Sequence, residues 1–167
     1  MSDEQLAAVL NWLGDGSGRI KFIVSSVPVF PDTKADNEDK WAGFPRQRSE
    51  LLDFIRDNEI HRVVFLSGDV HASMTAEMTS PGTTAGFKIF SVISSAFFWP
   101  YPHTPKQAFI LQGRIESMLS DNVYNYSSVG STHSTDNFTR LTADLEGLTV
   151  EAYARNGKLL STQRLIF

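Results

Sequence analysis

Val63-Val64-Phe65-Leu66-Ser67-Gly68-Asp69-Val70-His71 carries the strongest structural signal in the chain. Its first four residues are a continuous apolar run of β-branched and aromatic side chains, which predicts the strongest buried strand in the chain. Ser67 to His71 then leave the C-terminal end of that strand, the edge at which open α/β sheets bind ligands. Gly68 is expected to let the backbone turn sharply and come close to a ligand. Asp69 and His71 are separated by one residue, so extended backbone would turn both side chains the same way. A carboxylate oxygen and an imidazole offered together suit iron, zinc, manganese or similar ions. Spacing alone leaves a second reading open, because Asp after Gly is common turn chemistry and a lone His can cap a strand. The loop holds no hydrolytic triad by itself, since both groups share one short turn and a nucleophile must come from elsewhere.

Working outward, Ile20-Lys21-Phe22-Ile23-Val24 predicts a second short buried strand, stopped by Pro28 and Pro31. Glu4 to Leu13 carries Leu6, Val9, Leu10 and Leu13 on one helical face, with Ser2 and Gln5 resembling a capping box and Gly14 placed to end the helix. Asp32 to Asp39 is polar and aperiodic, a long surface loop. A second helix is expected from Pro45 to about Asn58, burying Leu51, Leu52 and Ile55. Downstream, Ser73 to Met78 and Phe87 to Ser94 predict two strands about a Pro81-Gly82 turn. Phe97-Phe98-Trp99-Pro100-Tyr101-Pro102-His103 has too much proline for regular structure. A third helix is expected from Pro105 to about Leu119. Leu141 to Leu145, Leu148 to Ala154 and Lys158 to Ile166 predict a meander joined at Glu146-Gly147 and at Asn156-Gly157, the latter a type I′ hairpin signal. The order predicts an α/β fold, a mixed sheet covered by helices on one face, with residues 1–167 as one domain.

Composition narrows the function. A chain of 167 residues with 41% hydrophobic and 20% charged residues buries a real core, and disorder is excluded. No apolar run approaches the ~20 residues of a membrane-spanning helix, and the polar start lacks a signal-peptide pattern. A formal charge of -4, with scattered Lys and Arg, argues against a dedicated nucleic-acid surface. The absence of cysteine excludes disulfides, zinc-thiolate sites and a cysteine nucleophile. Asn125-Tyr126-Ser127 and Asn137-Phe138-Thr139 match the glycosylation sequon, a pattern short enough to recur by chance.

The stretch from Val63 to His71 closely resembles the late metal-ligand motif of alkaline phosphatase D-type (PhoD-like) metallophosphoesterases. Lys21-Phe22-Ile23-Val24-Ser25-Ser26-Val27-Pro28 resembles the family strand before a variable loop. Trp41-Ala42-Gly43-Phe44, then Arg48 with Leu51-Leu52, resembles the Trp-x-Gly-aromatic segment that opens the next helix. The order agrees, and the resemblance runs from about Gln5 to the C-terminus. It implies a mixed β-sheet sandwich flanked by helices, the C-terminal half of an α/β/β/α metallophosphoesterase fold. It also implies metal-dependent hydrolysis of phosphate mono- or diesters at a two-metal centre, with iron and calcium as the associated ions, and export to the periplasm or medium. Asp69 and His71 match ligand positions, so both metal ligation and the catalytic role fall to them.

The chain departs from the full pattern. The early Asp-x-His or Asp-x-Cys, the Gly-Asp-x-x-Asp and the Gly-Asn-His motifs are absent, and Gly14-Asp15 is followed by Gly16-Ser17-Gly18. The expectation is a C-terminal portion that supplies late ligands and is inactive alone, completed by a missing N-terminal half or by a homodimer partner. The rivals are a non-catalytic interaction module that keeps the family core, and a mononuclear site of Asp69, His71 and one more histidine. For substrate binding, Arg48 and His103 are the candidates. Arg46 and Arg48 open a helix and have the geometry to grip a phosphate, with solvated arginines as the alternative. His103 lines a pocket or belongs to an aromatic loop that covers the core. His61 reads as structural, His133 as surface, and Asn137 as either turn chemistry or a hydrogen-bonding group near the site mouth.

Overall fold

The computed structural model describes residues 1–35, 38–82 and 86–167, so residues 36 and 37 of the expected polar loop lie outside the described residues. Helix α1 (Asp3–Leu13) begins where the Ser2 hydroxyl accepts the Gln5 N–H at 3.2 Å, and it buries Leu6 and Leu13. A single 3₁₀ turn at Trp41–Gly43 leads into α2 (Pro45–Asp57), whose inner face places Leu51, Leu52 and Ile55 out of solvent.

The first sheet is mixed and six-stranded, in the order β1-β2-β4-β3-β6-β5. Its strands are β1 (Lys21–Ser25), β2 (Val63–Ser67), β3 (Ser73–Ser80), β4 (Phe87–Ser94), β5 (Gln112–Glu116) and β6 (Val123–His133). β1, β2 and β4 run parallel, in the registers Ile23 opposite Phe65 and Phe65 opposite Ser91. β3 returns antiparallel on the far side of β4 and pairs with β6. The second sheet is the antiparallel meander β7 (Asn137–Ala143), β8 (Gly147–Ala154) and β9 (Leu159–Ile166).

β2 explains the layering. Val63 and Phe65 join the helix-side core with Leu13, Leu51, Leu52 and Ile55. Val64, one step out of phase, joins Phe90, Val92, Leu148, Val150 and Leu165 between the two sheets. The result is helices, a six-stranded sheet, then a three-stranded sheet, the mixed α/β sandwich that the family resemblance implies. Each fully buried Val or Phe on β2 contributes about 1.5–3 kcal/mol.

Several elements differ from the sequence reading. The helix expected from Pro105 to Leu119 is a 3₁₀ turn at Lys106–Ala108 followed by strand β5. β5 alternates, with Ile115 buried between exposed Arg114 and Glu116, and a side chain at Gly113 would collide with the Tyr126 ring on β6. Pairing with β6 overrides the helix-forming Gln112 and Glu116. β6 itself goes unrecognised in the sequence because its polar, Ser-rich run hides two buried tyrosines, Tyr124 and Tyr126. β7 starts at Asn137 rather than Leu141. The Asn156-Gly157 turn is not type I′: Gly157 has φ +81° but Asn156 does not join it at positive φ, so the hairpin takes a longer, bulged form. Asn137 is 1% exposed, which puts its sequon out of reach in the folded chain.

One carboxylate ties the helices to the sheet. Asp53 on α2 accepts hydrogen bonds from Ser117 Oγ (2.6 Å), Ser120 Oγ (2.9 Å), Asn122 Nδ2 (3.1 Å) and the Tyr124 hydroxyl (2.5 Å). Burial pushes the Asp53 pKa up, but the donors from Ser117, Tyr124, Asn122 and Ser120 outweigh it and leave the group below the ordinary 3.8. Because the folded value is depressed, this stability is present above the unfolded carboxylate pKa and is lost as pH falls through the folded one. Asp53→Ala strands the buried Tyr124 hydroxyl and removes the acceptor of the part-buried Ser117 and Asn122 donors, and it is expected to cost about 3 kcal/mol at pH 7. Asp53→Asn is expected to flatten the loss of stability below pH 4. Urea denaturation at pH 7 and pH 3 checks both, and an unchanged acid slope in Asp53→Asn would refute the assignment.

Candidate functional site

β1, β2 and β4 end side by side at Ser25, Ser67 and Ser94. Just beyond them Gly68 N–H donates to the Ser26 carbonyl at 3.3 Å. The sharp turn is not made at Gly68, whose φ is not positive and where an added Cβ would meet only ordinary contacts at 3.8–3.9 Å. It is made at Asp69 and His71, which hold φ of +67° and +49°. The extended backbone expected for this pair is therefore corrected. Left-handed non-glycine backbone costs of order 1–3 kcal/mol per residue and persists where the surroundings over-determine it.

Those surroundings are visible. Val70 and Ala72 are buried with Met74, Ile93 and Phe109, pinning the loop from below. His71 N–H donates to Ser95 Oγ at 2.8 Å, and the His71 carbonyl accepts the Thr104 N–H at 3.2 Å. The His71 ring stacks on Trp99, centroids 3.6 Å apart and planes 20° from parallel. Stacking covers a face of an imidazole and leaves its in-plane nitrogens accessible. Asp69 is exposed and His71 half-buried. Among the described residues neither the Asp69 carboxylate nor the His71 ring nitrogens have a hydrogen-bond or ion-pair partner.

The other candidates are engaged. Arg48 is 7% exposed, and its Nη1 donates to Asp32 Oδ1 at 2.6 Å and to the Val29 carbonyl at 3.5 Å. Its cation is already neutralised inside the molecule, while Arg46 is exposed on the first turn of α2. His103 Nδ1 lies 3.2 Å from the His71 carbonyl and its Nε2 lies 3.1 Å from Asp136 Oδ1, so both nitrogens face acceptors within the protein. His133 Nε2 lies 2.7 Å from Ser161 Oγ, and burial lowers its pKa. His61 is exposed. The aromatic loop does not cover the core: Phe97, Phe98 and Tyr101 are 76%, 63% and 67% exposed. Sequence reasoning missed Ser95, Trp99 and Asp136, which surround His71 and His103 but carry no local motif.

Comparison with known proteins matches this architecture. Residues 1–149 fit the family model described as PhoD-like phosphatase. The chain belongs to the PhoD-like phosphatase family. It is 38% identical to alkaline phosphatase D of Bacillus subtilis (strain 168) over 69 residues, which is 41% of this chain and 11% of that protein. A solved structure of PhoD superposes with a TM-score of 0.51 at 16% identity, covering 98% of this chain and 35% of that one; at such identity the likeness shows the fold. The chain therefore spans about a third of the solved PhoD.

PhoD-like membership implies a metal, and the donors here fit one in part. A carboxylate and an imidazole without internal partners suit a hard or borderline cation. Among the described residues, however, no group of three or more His, Asp or Glu side chains is placed to hold an ion. The mononuclear set of Asp69, His71 and a third histidine is not assembled. Arg48 generates the prediction for this region. Arg48→Ala leaves Asp32 unpaired and is expected to cost about 2–3 kcal/mol of stability in thermal or chemical denaturation. Unchanged stability with weakened phosphate binding would instead support a substrate role for Arg48.

Proposed function

We propose that this PhoD-like chain carries Asp69 and His71 as late ligands of a metal centre that hydrolyses phosphate mono- or diesters, with further ligands coming from outside its own residues. The observation that carries the reading is the pair of unpartnered donors on a strained turn, at the shared C-terminal edge of three parallel strands. A bound metal would polarise the phosphoryl oxygens and lower the pKa of a coordinated water. The chain's own residues hold the two donors in place. Val70 and Ala72 anchor the turn, Ser95 and Thr104 fix the His71 backbone, and Trp99 limits ring rotation. Iron and calcium are the ions that the family resemblance implies, and export from the cytoplasm belongs to the same reading.

A second reading keeps the family core without catalysis, and the incomplete donor set favours it for this chain acting alone. The free edge of β1, with Phe22 and Val24 37% and 79% exposed, offers a place where a further strand could extend the six-stranded sheet. That strand would come from a second copy or from more of a longer chain.

Metal titration with iron, manganese and calcium separates the readings. The chain is expected to bind metal weakly, and Asp69→Asn or His71→Ala to lower that affinity at least about tenfold, as loss of a direct ligand should exceed the loss of a supporting residue. A phosphodiester assay on the unaided chain is expected to show no turnover. Equal metal binding in wild type and both variants would sink the ligand assignment, and robust turnover would overturn the need for outside residues.

A further inference from the structure

We infer that His103 and Asp136 form a positioning clamp for His71, through which the second sheet sets the direction of the proposed ligand. The inference rests on the reading of His71 as a ligand. It assigns His103 a role distinct from gripping substrate, since both of its ring nitrogens already face protein oxygens.

The geometry forms a chain of contacts. His71 is held at both of its peptide groups: its N–H donates to Ser95 Oγ, and its carbonyl lies against the Thr104 N–H and His103 Nδ1. With the backbone fixed at φ +49° on both sides and one ring face against Trp99, few side-chain rotations remain, so the ring edge has a set direction. His103 is fixed in turn by Asp136 at 3.1 Å, in the connection between β6 and β7. That connection is stitched to the aromatic loop at two further points. Asn137 N–H donates to the Ala96 carbonyl at 2.7 Å, and Ser134 Oγ donates to the Thr104 carbonyl at 2.7 Å. Both ends of the loop that carries Ser95, Trp99 and His103 are therefore tied to the start of the second sheet. His103 and Asp136 are 14% and 23% exposed at their side chains, which shields this contact from full solvent competition. Supporting residues of this kind tune metal affinity without touching the ion.

The test uses the whole chain and a readout that general destabilisation would not move. Stacking on Trp99 places the His71 ring protons in a ring-current field, so in NMR spectra they are expected upfield, and Trp99→Ala identifies the effect. His103→Ala and Asp136→Ala are expected to move those resonances toward ordinary histidine positions while distant core resonances stay in place. His103→Asn, whose amide still donates from near the Nδ1 position, is expected to recover most of the shift. In a second arm, Mn²⁺ broadening of the His71 resonances reports ion binding, and the two alanine variants are expected to weaken it about 10–100-fold. Unmoved His71 resonances in both alanine variants overturn the clamp. Should one alanine variant fail to fold, the other variant and His103→Asn still decide it. Absence of Mn²⁺ broadening in wild type counts against the ligand reading instead, while the ring shifts continue to judge the clamp.

Discussion

Burial of β2 on both faces holds the layers of this protein together. Val63 and Phe65 pack toward the helices while Val64 packs toward the second sheet, so neither layer can move without exposing apolar surface. Parallel pairing with β1 and β4 then fixes where the strand ends. The Asp69-His71 turn emerges at that end because the strand has nowhere else to go. A one-residue slip would exchange the two faces and carry the donors off the edge.

Buried charge plays a different part in this protein from exposed charge. Asp53 and Arg48 both sit on α2 and both point inward, one to the β5–β6 connection and the other to Asp32. Each brings polar partners across layers that apolar packing alone would leave free to slide. Neither confers much net stability over a hydrophobic replacement of the same shape, but each penalises misassembly by several kcal/mol if its partner is lost. The two donors on the Asp69-His71 turn show the opposite pattern, with strained backbone, accessible polar atoms and no internal partners. The buried Val70 and Ala72 hold that backbone in place while the two polar groups face outward.

The PhoD-like fold here consists of one helix-covered sheet facing a smaller one, and the two are joined at the site as well as through the core. The connection from β6 to β7 reaches the aromatic loop through His103, Asn137 and Ser134. Residues that a family motif would never flag thus stand in direct contact with the one that it does.

Elements with a strong local signal were legible before any packing was known. The continuous apolar run of β2, the Ser2 cap of α1, the proline start of α2 and the polarity alternation of the final meander were all legible, and so was the Asp69-His71 loop at the end of a buried strand. Other features depend on contacts between segments far apart in the chain. β5 and β6 are strands because they pair with each other, and Gly113 leaves room for Tyr126 in a way that no window of sequence reveals. Arg48 faces inward because Asp32, sixteen residues away, waits there. The His103 ring lies between the His71 carbonyl and Asp136 because Asp136 comes from another sheet's threshold. Local pattern specifies which backbone a segment prefers, whereas the partners of a polar side chain depend on which distant segments the fold brings beside it.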